Sequence, residues 1–150
     1  MELPKRKSTR IPNYNYASEN YYFITVCTDG KKCLFFTNGR INALGKIVER
    51  CLLQIPQHHK NARIDKYIVM PNHIHAIIAI EGVSNSSLTT MVGQMKAAST
   101  REIHKLMPDQ IIWQRSFHDH IIRNQEGYLK IWEYIHTNLM TWQKDCFYKE

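Results

Sequence analysis

The sequence lacks any run of about 18 unbroken apolar residues, the length that a membrane-spanning helix needs. Its basic start leads into residues 11–20, which are polar and aromatic and do not form the apolar core of a secretory signal. Acidic residues are few, because 13 Asp and Glu oppose 20 Lys and Arg and leave a net charge of +7. We therefore expect a cytoplasmic protein with no membrane segment, whose surface attracts polyanions such as nucleic acid.

Cysteine at metal-binding or redox spacing is also missing. The four cysteines, Cys27, Cys33, Cys51 and Cys146, include no C-x-x-C pair, and three of them lie within apolar periodic segments. This pattern predicts free, buried thiols and neither a disulfide framework nor a zinc site.

The composition is that of an ordinary folded protein, with 43% hydrophobic and 22% charged residues among 150. One domain over residues 1–150 is the expectation at this length. Residues 1–20 are basic and rich in tyrosine, without helical or strand periodicity, and we interpret them as an arm. The arm fits a solvated tail and equally a segment that contacts phosphates and stacks on exposed bases.

Hydrophobic periodicity and turn signals predict seven elements along the rest of the chain. They are strands over 22–28, 63–70, 73–82 and 109–124, and helices over 41–55, 88–107 (capped by Ser87) and 127–142. The order βαββαβ plus a trailing helix predicts an α+β fold, a ferredoxin-like split βαβ antiparallel sheet with helices on one face. The opposite face would then be available for a site.

Two histidines two positions apart open the strand over 73–82. Period-two alternation places His73 and His75 on one face, while Ile74 and Ala76 point to the other. Neighbouring imidazoles can bind a divalent metal, but hydrogen-bonded structural histidines fit the same pattern. On the last helix, Tyr134 and Asn138 are four residues apart and share a face. Tyr134 fits a nucleophile or a packed tyrosine, and the Asn138 carbonyl oxygen suits a hard cation such as magnesium.

Residues 22–28, 67–80, 113–124 and 128–138 resemble, in this order, the single-tyrosine HUH transposases, and among them the REP-associated tyrosine transposases. HUH stands for histidine, hydrophobic residue, histidine. The resemblance extends over most of the chain and implies metal-dependent cleavage and rejoining of single-stranded DNA through a 5′-phosphotyrosine link, guided by a nearby DNA hairpin.

The resemblance also implies roles for individual residues. It gives His73, His75 and Asn138 as ligands of Mg²⁺ or Mn²⁺, Tyr134 as the nucleophile and His120 as a further residue near the site. Relatives often have Asn-Pro at the end of the tyrosine helix where this chain has Asn138-Leu139, which predicts a different helix end. Relatives act as homodimers or as monomers, so the oligomeric state stays open.

Positive side chains near these motifs are the candidates for DNA contact: Arg10, Lys31, Lys32, Arg40, Lys96, Arg101 and Arg115. Lys96 and Arg115 lie in sequence blocks shared with the relatives, whereas a lone lysine also fits a solvated surface charge. Two other functions fit the sequence. One is a non-catalytic module on the same fold that binds a DNA hairpin, and the other is an RNA-binding ferredoxin-like domain.

Overall fold

The computed structural model describes residues 20–81 and 87–142. In chain order the elements are β1 (Asn20–Cys27), β2 (Phe36–Thr37), β3 (Arg40–Ile41), α1 (Ala43–Leu53), α2 (Ile55–His58), β4 (Ala62–Met70), β5 (His73–Ile80), α3 (Leu88–His104), β6 (His118–Ile122) and α4 (Gln125–Thr137).

The main sheet has four antiparallel strands in the spatial order β4-β5-β1-β6. Strand β1 therefore lies in the interior of the sheet although it is the first strand of the described chain. This is the predicted α+β fold with the ferredoxin-like strand order, and the trailing helix α4 is present.

Helices cover both faces of the sheet. Ile74 and Ile78 of β5 pack with α1 and α3 in the larger core, together with buried residues such as Leu52 and Met91. Ile77, on the other face, packs with α4 in a second core that contains Phe23, Ile122, Ile131 and Ile135. Every residue of β5 is buried as a result. The sheet face on which the sequence predicts a site is thus partly covered by α4.

The strand predicted over 109–124 is wrong in its first half, since β6 spans only His118–Ile122. The backbone before it meets the end of β1, where the Gln114 N–H donates to the Cys27 carbonyl at 3.0 Å, but it does not continue as a paired strand. The Lys96 ammonium donates to the Gln114 and Ser116 carbonyls at 2.6 and 3.2 Å, and only Trp113 forms a bridge, to Thr28. The bulky apolar residues here serve packing, which propensity alone does not separate from pairing.

Three other predicted boundaries shift. The helix predicted over 41–55 ends at Leu53, and a one-turn helix follows with Pro56 in its first turn. Proline has no N–H to donate to the preceding turn and fits best at a helix start. The second helix ends at His104, and the last spans 125–137, while Ser87 accepts a hydrogen bond from the Thr90 N–H as predicted for a cap.

Two short features escape the periodicity analysis. Asn20 belongs to β1, so the strand starts at the last residue of the predicted arm, whose residues 1–19 lie outside the described part of the chain. Asn38 and Gly39 have φ of 52° and 78° and connect β2 to β3 in a two-residue hairpin. Asn-Gly is the favoured sequence for a turn with two positive φ angles.

No disulfide bond joins the cysteines of the described residues. Cys27 and Cys51 are buried as predicted, whereas Cys33 is exposed. Burial raises the pKa of the Cys51 thiol, which makes it a poor nucleophile. In residues 20–81 and 87–142, no helix is both long and apolar enough to span a bilayer.

Substituting two helix glycines by alanine should have opposite effects on stability. A Cβ at Gly45 in α1 would lie 2.5 Å from the Phe35 carbonyl oxygen, whereas a Cβ at Gly93 in α3 meets nothing within 4 Å. Gly45→Ala should lower the free energy of unfolding by about 1–3 kcal/mol. Gly93→Ala should raise it by about 0.5–1 kcal/mol, the helix propensity difference. Urea denaturation of both variants checks this, and a shift of the same sign in both would contradict it.

Candidate active site

His73 and His75 lie side by side on the face of β5 that α4 covers. Their Nε2 atoms are 3.0 Å apart, and both side chains are fully buried. Strand alternation predicts this common face. Buried imidazoles of this kind need partners for their other ring nitrogens, and each has one.

Asn72 fixes the tautomer of His73. The Asn72 Nδ2 atom donates to the Lys31 carbonyl at 3.2 Å, so its Oδ1 atom faces the His73 Nδ1 atom at 2.7 Å. Because the Lys31 carbonyl only accepts, this orientation of the amide makes His73 Nδ1 the donor. The Nε2 atom of neutral His73 then presents a lone pair towards His75.

Thr25 on the neighbouring strand β1 supports His75. Its Oγ1 atom is 2.9 Å from His75 Nδ1, and the two residues are opposite each other in the strand register. A hydroxyl both donates and accepts, so Thr25 supports either neutral tautomer of His75. His75 is thus able to present its Nε2 lone pair beside that of His73, as shared coordination of one cation requires.

Helix α4 and the turn after it bring two further side chains to the histidines. The Tyr134 ring lies 5.3 Å from the His75 ring, and the Trp142 ring lies 6.0 Å from the His73 ring, both measured between centroids. Asn138 follows Tyr134 by four residues, directly after the end of α4, and is fully buried. The structure therefore brings together His73, His75 and Tyr134, while Asn138 stays a predicted ligand.

The donor set fits a small divalent cation. Two ligands at right angles, each about 2.1 Å from an octahedral ion, are about 3 Å apart, which is the separation of the two Nε2 atoms. Within the described parts of the chain no group of three His, Cys, Asp or Glu side chains could hold a metal. Among the described residues, a third protein ligand beside the two histidines would be of another type, such as an amide oxygen.

Strand β6 places His118 nearer to this site than His120. In the sheet register His118 lies opposite Thr25, which in turn lies opposite His75, whereas His120 lies opposite Phe23. His120, which the resemblance implies, stays a prediction as a site residue, and His118 is a further candidate that the sequence did not indicate. His118 and His120 are two residues apart and therefore lie on the same face of β6. Which of them lies level with His75 depends on the strand register, and the sequence does not show the register.

His120 should make the stability of the protein depend on pH. Burial and the nearby Arg123 charge lower its pKa. Below the ordinary histidine pKa of about 6.5 the unfolded chain binds a proton that folded His120 resists, so stability falls as the pH drops from about 6.5 towards the lowered value. We expect His120→Gln to lose less stability than wild type between pH 7 and pH 5 in thermal melts. Parallel pH profiles of the two proteins would contradict the assignment.

Tyr128, the other tyrosine on α4, differs sharply from Tyr134. Its hydroxyl donates to Asp65 Oδ2 at 2.9 Å, and burial together with this carboxylate raises the pKa of Tyr128 to about 12. A phenol that holds its proton so firmly is a poor nucleophile. Tyr134 is the tyrosine of this helix that contacts His75.

Three of the seven predicted DNA-contacting residues lie around one open groove. Lys96, Arg101 and Arg115 line a cavity of about 590 Å³ between α3 and residues 108–115. Lys31 and Lys32 are exposed and lie in the loop after β1. This loop adjoins the groove, because its Asp29 N–H donates to the carbonyl of the groove residue Ile112 at 2.9 Å.

The other residues of that set are placed differently. Arg40 lies on the β2–β3 hairpin away from the groove lining, and Arg10 lies outside the described residues. Lys96 binds the two carbonyls on either side of Arg115, at Gln114 and Ser116. This lysine thus holds the segment that displays Arg115, a role that its sequence did not indicate.

The sheet, the buried histidine pair and the tyrosine helix together define a transposase-type domain. The family described as IS200-like transposases matches residues 17–138. That range includes the histidine pair, Tyr134 and Asn138. The chain belongs to this family.

One curated protein and two solved structures are similar to this chain over most of its length. A Haemophilus influenzae protein described only as uncharacterized is 35% identical over 167 residues, covering 95% of this chain and 93% of its own. A REP-associated tyrosine transposase solved with a REP hairpin superposes with a TM-score of 0.67 at 18% identity, covering 87% of this chain and 72% of its own. A putative transposase from Deinococcus radiodurans R1 superposes with a TM-score of 0.56 at 16% identity, covering 85% of this chain and 95% of its own. The two structures share the fold of this chain.

Proposed function

We propose that this protein cleaves single-stranded DNA in a metal-dependent reaction and transfers the cut strand through a 5′-phosphotyrosine intermediate. One observation carries the proposal: the Tyr134 ring packs on His75, whose Nε2 atom is 3.0 Å from that of His73. A nucleophile and two metal-type donors thus share one buried site, within a chain of the IS200-like transposase family.

His73, His75 and Asn138 would hold Mg²⁺ or Mn²⁺. Such an ion supplies charge neutralisation at the non-bridging oxygens of a scissile phosphate. The residues of this chain do the rest. Asn72 and Thr25 orient the imidazoles, and α4 holds Tyr134 against them.

In the covalent step, the Tyr134 hydroxyl oxygen forms a bond to the scissile phosphorus, and the bond from phosphorus to the 3′ oxygen breaks. The leaving oxygen takes a proton and becomes a free 3′-hydroxyl, while the phenol proton passes to a base or to water. The reverse attack by a different 3′-hydroxyl joins a new strand. Because the phosphotyrosine bond conserves the free energy of the cut bond, no nucleotide cofactor is needed, and the sequence has no Walker-type glycine loop.

We further propose that the DNA carries a hairpin. The REP-associated transposase that shares this fold was solved bound to a REP hairpin. The groove lined by Lys96, Arg101 and Arg115 supports this partner, because it offers positive charge with one acidic residue, Asp109, in its lining. Lys31 and Lys32 extend the same charge towards the histidine end of the sheet, while Arg40 and Arg10 remain candidates for further contacts.

The test is a denaturing gel of end-labelled single-stranded DNA taken from the sequence beside the gene, incubated with Mn²⁺, with Mg²⁺ or with chelator. We expect a slower, protease-sensitive band of protein-linked DNA in both metals and none in chelator. Binding in a native gel without any such band, on several hairpin-containing substrates, would favour the non-catalytic hairpin-binding module.

Asn72 should matter for metal affinity although it is not a proposed ligand. Without its amide the His73 Nδ1 atom loses the acceptor at 2.7 Å that fixes its tautomer. We expect Asn72→Ala to weaken Mn²⁺ binding about 10- to 100-fold, as losses of such supporting hydrogen bonds do. Calorimetric titration measures this. The control Asn61→Ala removes an amide that also donates to a backbone carbonyl, that of Glu81, at the end of β5 opposite to the histidine pair. Equal affinities in the two variants would contradict the role of Asn72.

A further inference from the structure

A second concave site lies at the other end of α4, away from Trp142. The cavity has a volume of about 370 Å³, and its lining comes from β1, β6 and the first turn of α4: Tyr21, Ile122, Arg123, Asn124, Gln125 and Tyr128. The proposed chemistry at His73, His75 and Tyr134 uses none of these residues. We refer to this cavity as the tyrosine pocket.

The tyrosine pocket opens on the same sheet face as the histidine pair. Tyr21 lies four residues before Thr25 on β1, so the two side chains share a face about 13 Å apart. Strand β6 connects the two places, since His118 lies opposite Thr25 and Ile122 lies opposite Tyr21. A single strand of DNA that leaves the histidines along β6 therefore reaches the pocket within about four nucleotides, at about 3.4 Å per nucleotide.

Two aromatic rings form the wall of the pocket, and their polar ends are held from outside it. The Tyr21 and Tyr128 rings meet edge to face with centroids 5.6 Å apart. Asp65 accepts the Tyr128 hydroxyl at 2.9 Å, and Arg63 reaches the Tyr21 hydroxyl at 3.4 Å. The rings are thus fixed before any ligand arrives, and Tyr21 remains 38% exposed. A rigid, exposed aromatic ring is what stacking of an unpaired base requires.

The polar side chains of the pocket fit the rest of a nucleotide. Gln125 carries an amide that both donates and accepts, and Asn124 adds the donor Nδ2, since its Oδ1 atom already accepts the Gly127 N–H at 2.7 Å as the cap of α4. Together they match the mixed donors and acceptors of a base edge. Arg123 adds a positive charge for the neighbouring phosphate, and none of the six lining residues is acidic. The guanidinium alone would also suit an acidic peptide. The aromatic stacking surface suits a base, so the pocket as a whole fits a nucleotide better.

We infer that the tyrosine pocket binds one unpaired base of the single-stranded DNA, within about four nucleotides of the scissile phosphate. The inference rests on the proposed function for the identity of the strand. It assigns Tyr21 as the stacking residue and Tyr128 as its rigid support. The pocket holds the strand by a base while the phosphate lies at the histidines, so it sets which bond reaches Tyr134.

The experiment is an abasic scan read out by binding. Fluorescent single-stranded DNA, unmodified or with one abasic site at each position in turn, is titrated in chelator with wild type, Tyr21→Leu and Tyr21→Phe, and anisotropy gives the affinity. We expect one position where base removal weakens wild-type binding about 5- to 100-fold. Tyr21→Leu should show no such dependence at that position, and Tyr21→Phe, which keeps the ring, should retain it.

Two results would overturn the inference: no position with such a loss in wild type, or the same loss in Tyr21→Leu as in wild type. An RNA of the same sequence that alone shows the Tyr21-dependent position would also overturn it. The scan needs no cleavage, so it is independent of the denaturing gel that detects protein-linked DNA, which we call the adduct. An adduct without a Tyr21-dependent base refutes only the pocket, whereas a Tyr21-dependent base without an adduct refutes only the strand transfer.

Discussion

Tyr134→Phe should form no protein-linked DNA while binding the same DNA with nearly wild-type affinity. The substitution removes one oxygen atom, the proposed nucleophile, and keeps the ring that packs on His75 and Phe23. Because the covalent step has no other oxygen in that place, the rate of adduct formation should fall by at least about 10⁴-fold. A denaturing gel with Mn²⁺ measures the adduct, and anisotropy in chelator measures the binding.

Tyr67→Phe is the matched control. It also removes a tyrosine hydroxyl that donates to a carboxylate, that of Glu49 at 3.0 Å, but Tyr67 packs with the core on the other face of the sheet. Adduct formation by Tyr67→Phe should persist. Undiminished adduct in Tyr134→Phe would show that Tyr134 is not the nucleophile and would require a different arrangement of the site.

His75→Ala should abolish cleavage and Mn²⁺ binding together, and leave DNA binding in chelator unchanged. One of the two imidazole nitrogens that lie 3.0 Å apart is then missing, so the cation loses one of its two nitrogen donors. We expect the Mn²⁺ affinity to fall more than 100-fold, beyond the loss from a supporting residue such as Asn72. Calorimetry and the adduct gel report the two losses separately, and His73→Ala should behave in the same way.

The control for the histidines is His58→Ala. His58 is exposed at the end of α2 on the opposite side of the sheet, so its loss should change neither metal binding nor cleavage. If His75→Ala bound Mn²⁺ as tightly as wild type, the metal would lie elsewhere and the histidine pair would be structural.

The two halves of the candidate site are predictable from local spacing. Period-two alternation places His73 and His75 on one face, and helical spacing places Tyr134 and Asn138 on another. Local spacing does not show that these faces meet. That expectation came from the resemblance to single-tyrosine transposases, and the contact between Tyr134 and His75 agrees with it.

The supporting contacts are not predictable, because they join residues far apart in the chain. Thr25 and His75 are 50 positions apart, and the Asn72 contact with Lys31 spans 41. The place of His118 depends on the register between β1 and β6, and Lys96 finds its carbonyl partners across a turn. A one-residue slip in register would break the pairing of Thr25 with His75 and change the place of His118, and nothing in the local pattern specifies the register.

The interior position of β1 has a consequence for how the protein is made. Six of its eight residues are buried, and its partners β5 and β6 are synthesised later. At about 5–20 residues per second, β5 emerges about 3–10 s after β1. During that time an apolar, aromatic strand has both edges unpaired on the ribosome. We expect nascent chains that stop before β5 to engage chaperones or to aggregate through residues 20–27, and chains extended past β5 to escape both fates.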